Sequence, residues 1–131
     1  MNKIDAEKRK LPRLLCDDNF SQCVVIVKDD SIPVQAINFH RRGIALYTPT
    51  PLPNVKSAKI SFIYRYDEEE IHILELPFRF AHINEMDVGC QYGACFQTKD
   101  SQQEFITEKL IEIEKLLKEN SNTNDRYGLF E

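Results

Sequence analysis

Apolar and polar positions alternate with a period of two along most of this chain, and the period changes to helical spacing only after residue 100. Val24 to Lys28 is a β-branched run and reads as a strand. Asp29-Asp30-Ser31 follows as a turn, with side chains able to bond their own backbone. Ile32 to Asn38 alternates like a half-buried strand, and Gly43 to Tyr47 is the next. Three prolines in Thr48-Pro49-Thr50-Pro51-Leu52-Pro53-Asn54 exclude that stretch from a sheet interior. Two longer strands are expected at about Val55 to Tyr66 and Glu70 to His82, joined by Asp67-Glu68-Glu69. Ala58, Ile60, Phe62 and Tyr64 share one face of the first. Ile71, Ile73, Leu76, Phe78 and Phe80 point inward from the second, with a bulge near Leu74-Glu75. A loop over 83–89 leads to a last strand from Cys90 to Thr98.

Ser101-Gln102-Gln103-Glu104 fits a capping box, and Ile106, Leu110, Ile113 and Leu117 then recur at helical spacing, joined by Phe105 and Leu116. The helix is expected to run to about Glu119. Its apolar stripe is broad enough to serve both a core and a homodimer seam. Six evenly spaced strands followed by an amphipathic helix predict a mainly β fold: a six-stranded antiparallel barrel with a C-terminal α-helix covering one end. The expected division is a flexible basic arm over 1–14, the barrel with its helix over 15–119, and a flexible tail over 120–131.

Length and charge narrow the function. The 131 residues suffice for one domain with its own core. A net charge of -4 argues against a general DNA or RNA binder. The charge is uneven: Lys3, Lys8, Arg9, Lys10 and Arg13 oppose only Asp5 and Glu7 in the arm. A basic arm on an acidic body suits a small anion better than a long polyanion. Pro12 interrupts any helix that begins near Asp5. No run approaches the roughly 18 apolar residues of a membrane span, and the charged N-terminus has no signal-peptide character, so a cytoplasmic location is expected.

Candidate chemistry is sparse. Cys16, Cys23, Cys90 and Cys95 contain no CxxC pair and read as reduced small hydrophobes. His40, His72 and His82 lack the spacing of a metal site. Asp67-Glu68-Glu69-Glu70 reads as a solvated hairpin tip. There is no set of nucleophile, base and orienting group, so no enzyme and no cofactor are expected.

Two short motifs remain. Arg9-Lys10-Leu11-Pro12-Arg13 is an RxxxR hook, and Asn38-Phe39-His40-Arg41-Arg42-Gly43 is a turn carrying an amide, an imidazole and a glycine. Their order, the strands between and after them, and the closing Tyr92-Gly93-Ala94-Cys95-Phe96 resemble a PilZ domain, the bacterial receptor module for cyclic di-GMP. The resemblance covers about residues 7–118. It implies that Arg9 and Arg13 clamp the ligand, with Asn38 bonding a guanine edge or phosphate and Gly43 allowing close backbone approach. It further implies that Lys8 favours a stacked ligand dimer. Arg41 and Arg42 would add positive field beside the pocket. Arginine suits both parts of such a ligand, because its planar fork bonds guanine O6 and N7 or phosphate oxygens and stacks on purines. The departure is His40, where the family has serine. The implied function is a cyclic di-GMP receptor that changes shape and signals to a protein partner. The alternative is a degenerate PilZ-fold adaptor that acts by protein contacts alone.

Overall fold

The computed structural model describes residues 14–16 and 19–126, the helix beyond residue 119 by its backbone alone. The sheet is built from β1 (Leu14–Leu15), β2 (Phe20–Val27), β3 (Asp30–Pro33), β4 (Gln35–His40), β5 (Gly43–Thr48), β6 (Ser57–Tyr66), β7 (Glu69–Glu85) and β8 (Cys90–Phe96). A 3-10 turn, Thr98–Asp100, precedes the helix α1 (Ile106–Arg126). All pairs are antiparallel, in the order β1-β4-β5-β8-β7-β6-β2-β3.

That order dictates the shape. β3 and β4 are consecutive in sequence, separated by Val34, yet β3 is one edge of the sheet and β4 lies next to the other edge, β1. The sheet must therefore curl to bring them together, and Val34 N–H donates to Cys23 O at 3.0 Å, one step beyond the Val24–Pro33 pair of β2 and β3. The single strand expected over Ile32–Asn38 is thus two strands. The alternation runs through both, but the hydrogen-bonding partner changes from β2 to β5. Pro33, which has no N–H to donate, ends β3 on the sheet edge, where that costs least.

The bulge expected near Leu74-Glu75 is present. The β6–β7 register shifts between Ile60 and Phe62, and Glu75 has φ 46°. The inner face of the curl holds Phe39, Leu46, Ile60, Phe62, Tyr64, Ile73, Leu76 and Phe78, all buried. Ile106, Leu110, Ile113, Leu116 and Leu117 of α1 close the core.

Three boundaries differ from the sequence reading. The capping box does not form: Ser101 Oγ accepts from Gln103 N–H (3.1 Å), and α1 starts only at Ile106. Gln103 is committed elsewhere. Its Oε1 accepts from Leu74 N–H (2.7 Å) and its Nε2 donates to His72 O (2.6 Å), which fills backbone positions at the bulge. Phe105, expected in the core, has φ 59° and is exposed. At the other end, α1 continues to Arg126 rather than stopping near Glu119, so part of the expected flexible tail is helical. Each further residue of a started helix adds a hydrogen bond, which outweighs the modest propensity cost of a polar stretch. The loop expected over 83–89 shrinks to 86–89 because β7 runs on to Glu85. No described helix is long and apolar enough to cross a membrane.

All four cysteines are free. Burial pushes the Cys23 thiol up to about 12, which keeps it protonated and inert.

Candidate functional site

The four strands β4, β5, β8 and β7 lie side by side, and their register lines up two rows on the outer face. One row is Asn38–Ala45–Gly93–His82. The next is His40–Gly43–Cys95–Arg79. Directly paired antiparallel residues project to the same side, so each row has polar side chains at its ends and small residues between. The result is an open cleft of about 280 Å³, floored by Gly43, Ala45, Gly93, Ala94 and Cys95 and flanked by Asn38, His40, Arg42 and His82. A bulge between Phe80 and His82 turns both Ala81 and His82 toward it.

Asn38, His40, Arg42 and Gly43, singled out in the sequence, come together at this cleft. His40 Nδ1 accepts from Arg42 N–H at 3.0 Å, which sets the turn between β4 and β5. Arg42 O accepts from Phe96 N–H (2.9 Å) and ties that turn to β8. The guanidinium of Arg42 enters no ion pair among the described residues.

Arg41 behaves differently from the expectation that it adds field beside the pocket. Its Nε donates to Glu114 Oε1 (2.8 Å), its backbone N–H to Glu114 Oε2 (2.9 Å), and its second guanidinium nitrogen lies 2.7 Å from Oε1. Burial pushes the Glu114 carboxyl up. The two Arg41 hydrogen bonds and the charges of Arg41 and Lys118 outweigh this and hold it below the usual carboxylate range. The Arg41 charge is therefore matched by the helix. Gly43 also has a stricter role than expected. A Cβ there would run into Ala94 O of the neighbouring strand, so β5–β8 packing already requires glycine.

Arg9, Arg13 and Lys8 lie outside the described residues. Their attachment point does not: Leu14 pairs with Phe39 and Leu15 with Asn38, beside the cleft. Sequence reasoning gave no role to His82, Arg79 or the Gly93-Ala94-Cys95 floor. The available signal was the run of small residues in an otherwise bulky closing strand. Among the described residues, no three His, Cys, Asp or Glu side chains gather to hold a metal ion.

No family model matches the chain, and no curated protein matches it by sequence. Among solved structures, it is similar to the PilZ domain with c-di-GMP of YcgR from Escherichia coli, with a TM-score of 0.63 at 12% identity. The match covers 91% of this chain and 98% of that one. A curled antiparallel sheet closed by a C-terminal helix, with a polar-rimmed outer cleft at the β4–β5 turn, is therefore a PilZ-like fold.

Proposed function

We propose that this chain is a receptor for cyclic di-GMP that changes conformation on binding and passes the signal to a protein partner. The observation that carries the reading is the anchoring of the N-terminal arm. β1 is paired to the strand that bears Asn38 and His40, and Arg13 directly precedes β1 in the chain. Arg9 is joined to Leu14 by at most about 17 Å of extended chain. Both guanidinium groups are thus within reach of a nucleotide resting on the floor. Asn38 supplies amide donors and an acceptor for a guanine edge, and Arg42 supplies a charge for phosphate. Closure of the arm would order it against the barrel and create the surface a partner reads. The similar YcgR domain is described with c-di-GMP, which supports the same ligand here.

Titration calorimetry with cyclic di-GMP tests the reading. The parent should bind at micromolar concentration or tighter. Arg9→Ala and Arg13→Ala should each abolish binding and leave the melting temperature of the free protein nearly unchanged. Binding by both variants at the parent's affinity would sink the clamp.

One observation favours the second reading, an adaptor that binds no nucleotide. His40 puts an imidazole at the cleft wall where the family carries serine. Absence of heat with the parent, together with capture of a protein partner, would select it.

A further inference from the structure

We propose that the end of the barrel beneath the proline-bearing loop is a peptide-docking cavity, which takes one apolar side chain flanked by lysine or arginine on a protein partner. The surface goes beyond the nucleotide reading. It lies at the opposite end of β5 from the β4–β5 turn, and a failure to bind nucleotide would leave it standing. Leu46, Tyr92 and Ile83 form one cross-strand row on the inner face, and Thr48, Cys90 and Glu85 form the next, where the strands end. Leu46 and Tyr92 are buried, yet Ile83 at the end of their row is 57% exposed. The core is therefore left open here. Leu52 N–H donates to the Tyr92 hydroxyl at 2.7 Å and holds the proline-bearing loop over the gap. Between them is an open cavity of about 210 Å³, walled by Leu52, Val55, Phe80, Ile83 and Tyr92, with Glu85 at its edge. An apolar cavity of about 150 Å³ holds a benzene ring, so this one has room for a single ring or branched side chain.

Glu85 gives the occupant its sign. It stands on an inward row, and its carboxylate enters no ion pair among the described residues. Burial pushes the Tyr92 hydroxyl up, and the Glu85 charge adds to that push, so its field reaches into the cavity. Asp87 adds a second negative charge in the hairpin that follows. A cation beside the apolar side chain complements such an edge. The apolar surface also runs past the cavity, since Met86 and Val88 are exposed in that hairpin. Its tip is fixed: the Tyr47 hydroxyl donates to Val88 O (3.1 Å), and Met86 N–H donates to Gly89 O (3.0 Å). A pocket for one anchor with further apolar surface around it suits a peptide better than a free small molecule.

The competing explanation is a barrel end that the loop covers incompletely. The isotope-labelled full chain, followed by amide NMR, separates the two when titrated with the blocked peptides acetyl-Lys-Phe-Lys-amide, acetyl-Glu-Phe-Glu-amide and acetyl-Lys-Ser-Lys-amide. The first should give saturable shifts at the amides of Leu52, Val55 and Ile83 at millimolar concentration. The glutamate peptide should bind about threefold or more weakly, and the serine peptide should give no saturable shift there. Glu85→Gln, at an exposed position, should keep the fold and bring the two phenylalanine peptides closer in affinity. No saturable shift with the first peptide overturns the proposal, as do shifts centred on the outer cleft. Equal binding of the serine peptide removes the apolar anchor, and an unchanged preference in Glu85→Gln removes the charge; either overturns it too.

Discussion

The two faces of β4, β5 and β8 use the same backbone for opposite purposes. Inward, Phe39 pairs with Ile44, Ile44 with Ala94, and Ala94 with Phe80 of β7. Phe39 is wholly buried and packs its ring near Phe20, Phe62 and Phe96, with centroids 5.7, 6.3 and 6.0 Å away. Outward, one residue along β4, β5 and β8 and two along the bulged β7, the row runs Asn38, Ala45, Gly93, His82. Bulk and shape complementarity fill one side. Small residues between polar ends leave the other open. Because the side-chain period of a strand is two, packed core and open polar-ended surface alternate residue by residue.

Neighbouring substitutions break this comparison most directly. Phe39→Ala should cost about 3–5 kcal/mol in urea unfolding, since a wholly enclosed ring leaves a cavity the core cannot refill. Asn38→Ala, one residue away, should shift stability by no more than about 0.5 kcal/mol while weakening cyclic di-GMP binding about tenfold. If Asn38→Ala unfolds the protein as Phe39→Ala does, the outer face is part of the core and the division fails.

The Arg41–Glu114 pair is the place where the two faces are joined, and it sharpens the comparison at intermediate cost. Glu114 is 5% exposed, whereas the Arg41 side chain is 43% exposed. Arg41→Ala strands a buried carboxylate and should cost about 2–4 kcal/mol. Glu114→Gln lets Arg41 turn to water and should cost less, about 1–2 kcal/mol. The Glu114 carboxyl is depressed in the folded state, so its contribution is full above the ordinary carboxylate value of 4.5 and is lost as pH falls through the lower folded value. The parent should therefore lose more stability than Glu114→Gln between neutral pH and pH 3. Equal losses would show that the pair does not hold the β4–β5 turn against the helix.

What the sequence disclosed follows from the same physics. Strand periodicity and the β7 bulge were legible because a one-residue slip would turn Ile60, Phe62 and Tyr64 out to water. The split at Val34 was not, because alternation says which side a residue faces and nothing about which strand it pairs with. The helix start was misplaced because Ser101 Oγ accepts from Gln103 N–H rather than from the Glu104 amide, while the Gln103 side chain satisfies the β7 backbone. At the site, Asn38, His40, Arg42 and Gly43 were legible as a local turn. His82 and Gly93 were not, since they meet only through pairing between β7 and β8. Arg41 looked equivalent to Arg42 until the helix supplied Glu114, 73 residues later.

The smallest expected effect falls on His40, where the sequence departs from the family it resembles. The imidazole has two roles there. Its Nδ1 holds the turn by accepting from Arg42 N–H (3.0 Å), and its ring takes up space on the cleft wall. A serine at 40 can accept from the same amide two residues on, as short hydroxyl side chains do in turns. His40→Ser should therefore keep the turn and the melting temperature and free the ring's volume for ligand. Cyclic di-GMP should then bind several-fold tighter. An unchanged affinity would show that the ring stands clear of the nucleotide's path, and a weaker one that the imidazole itself bonds the ligand. His40→Ala separates the two roles, since it clears the same space but leaves the Arg42 amide without its acceptor. It should lose about 1 kcal/mol of stability and gain less affinity than the serine variant.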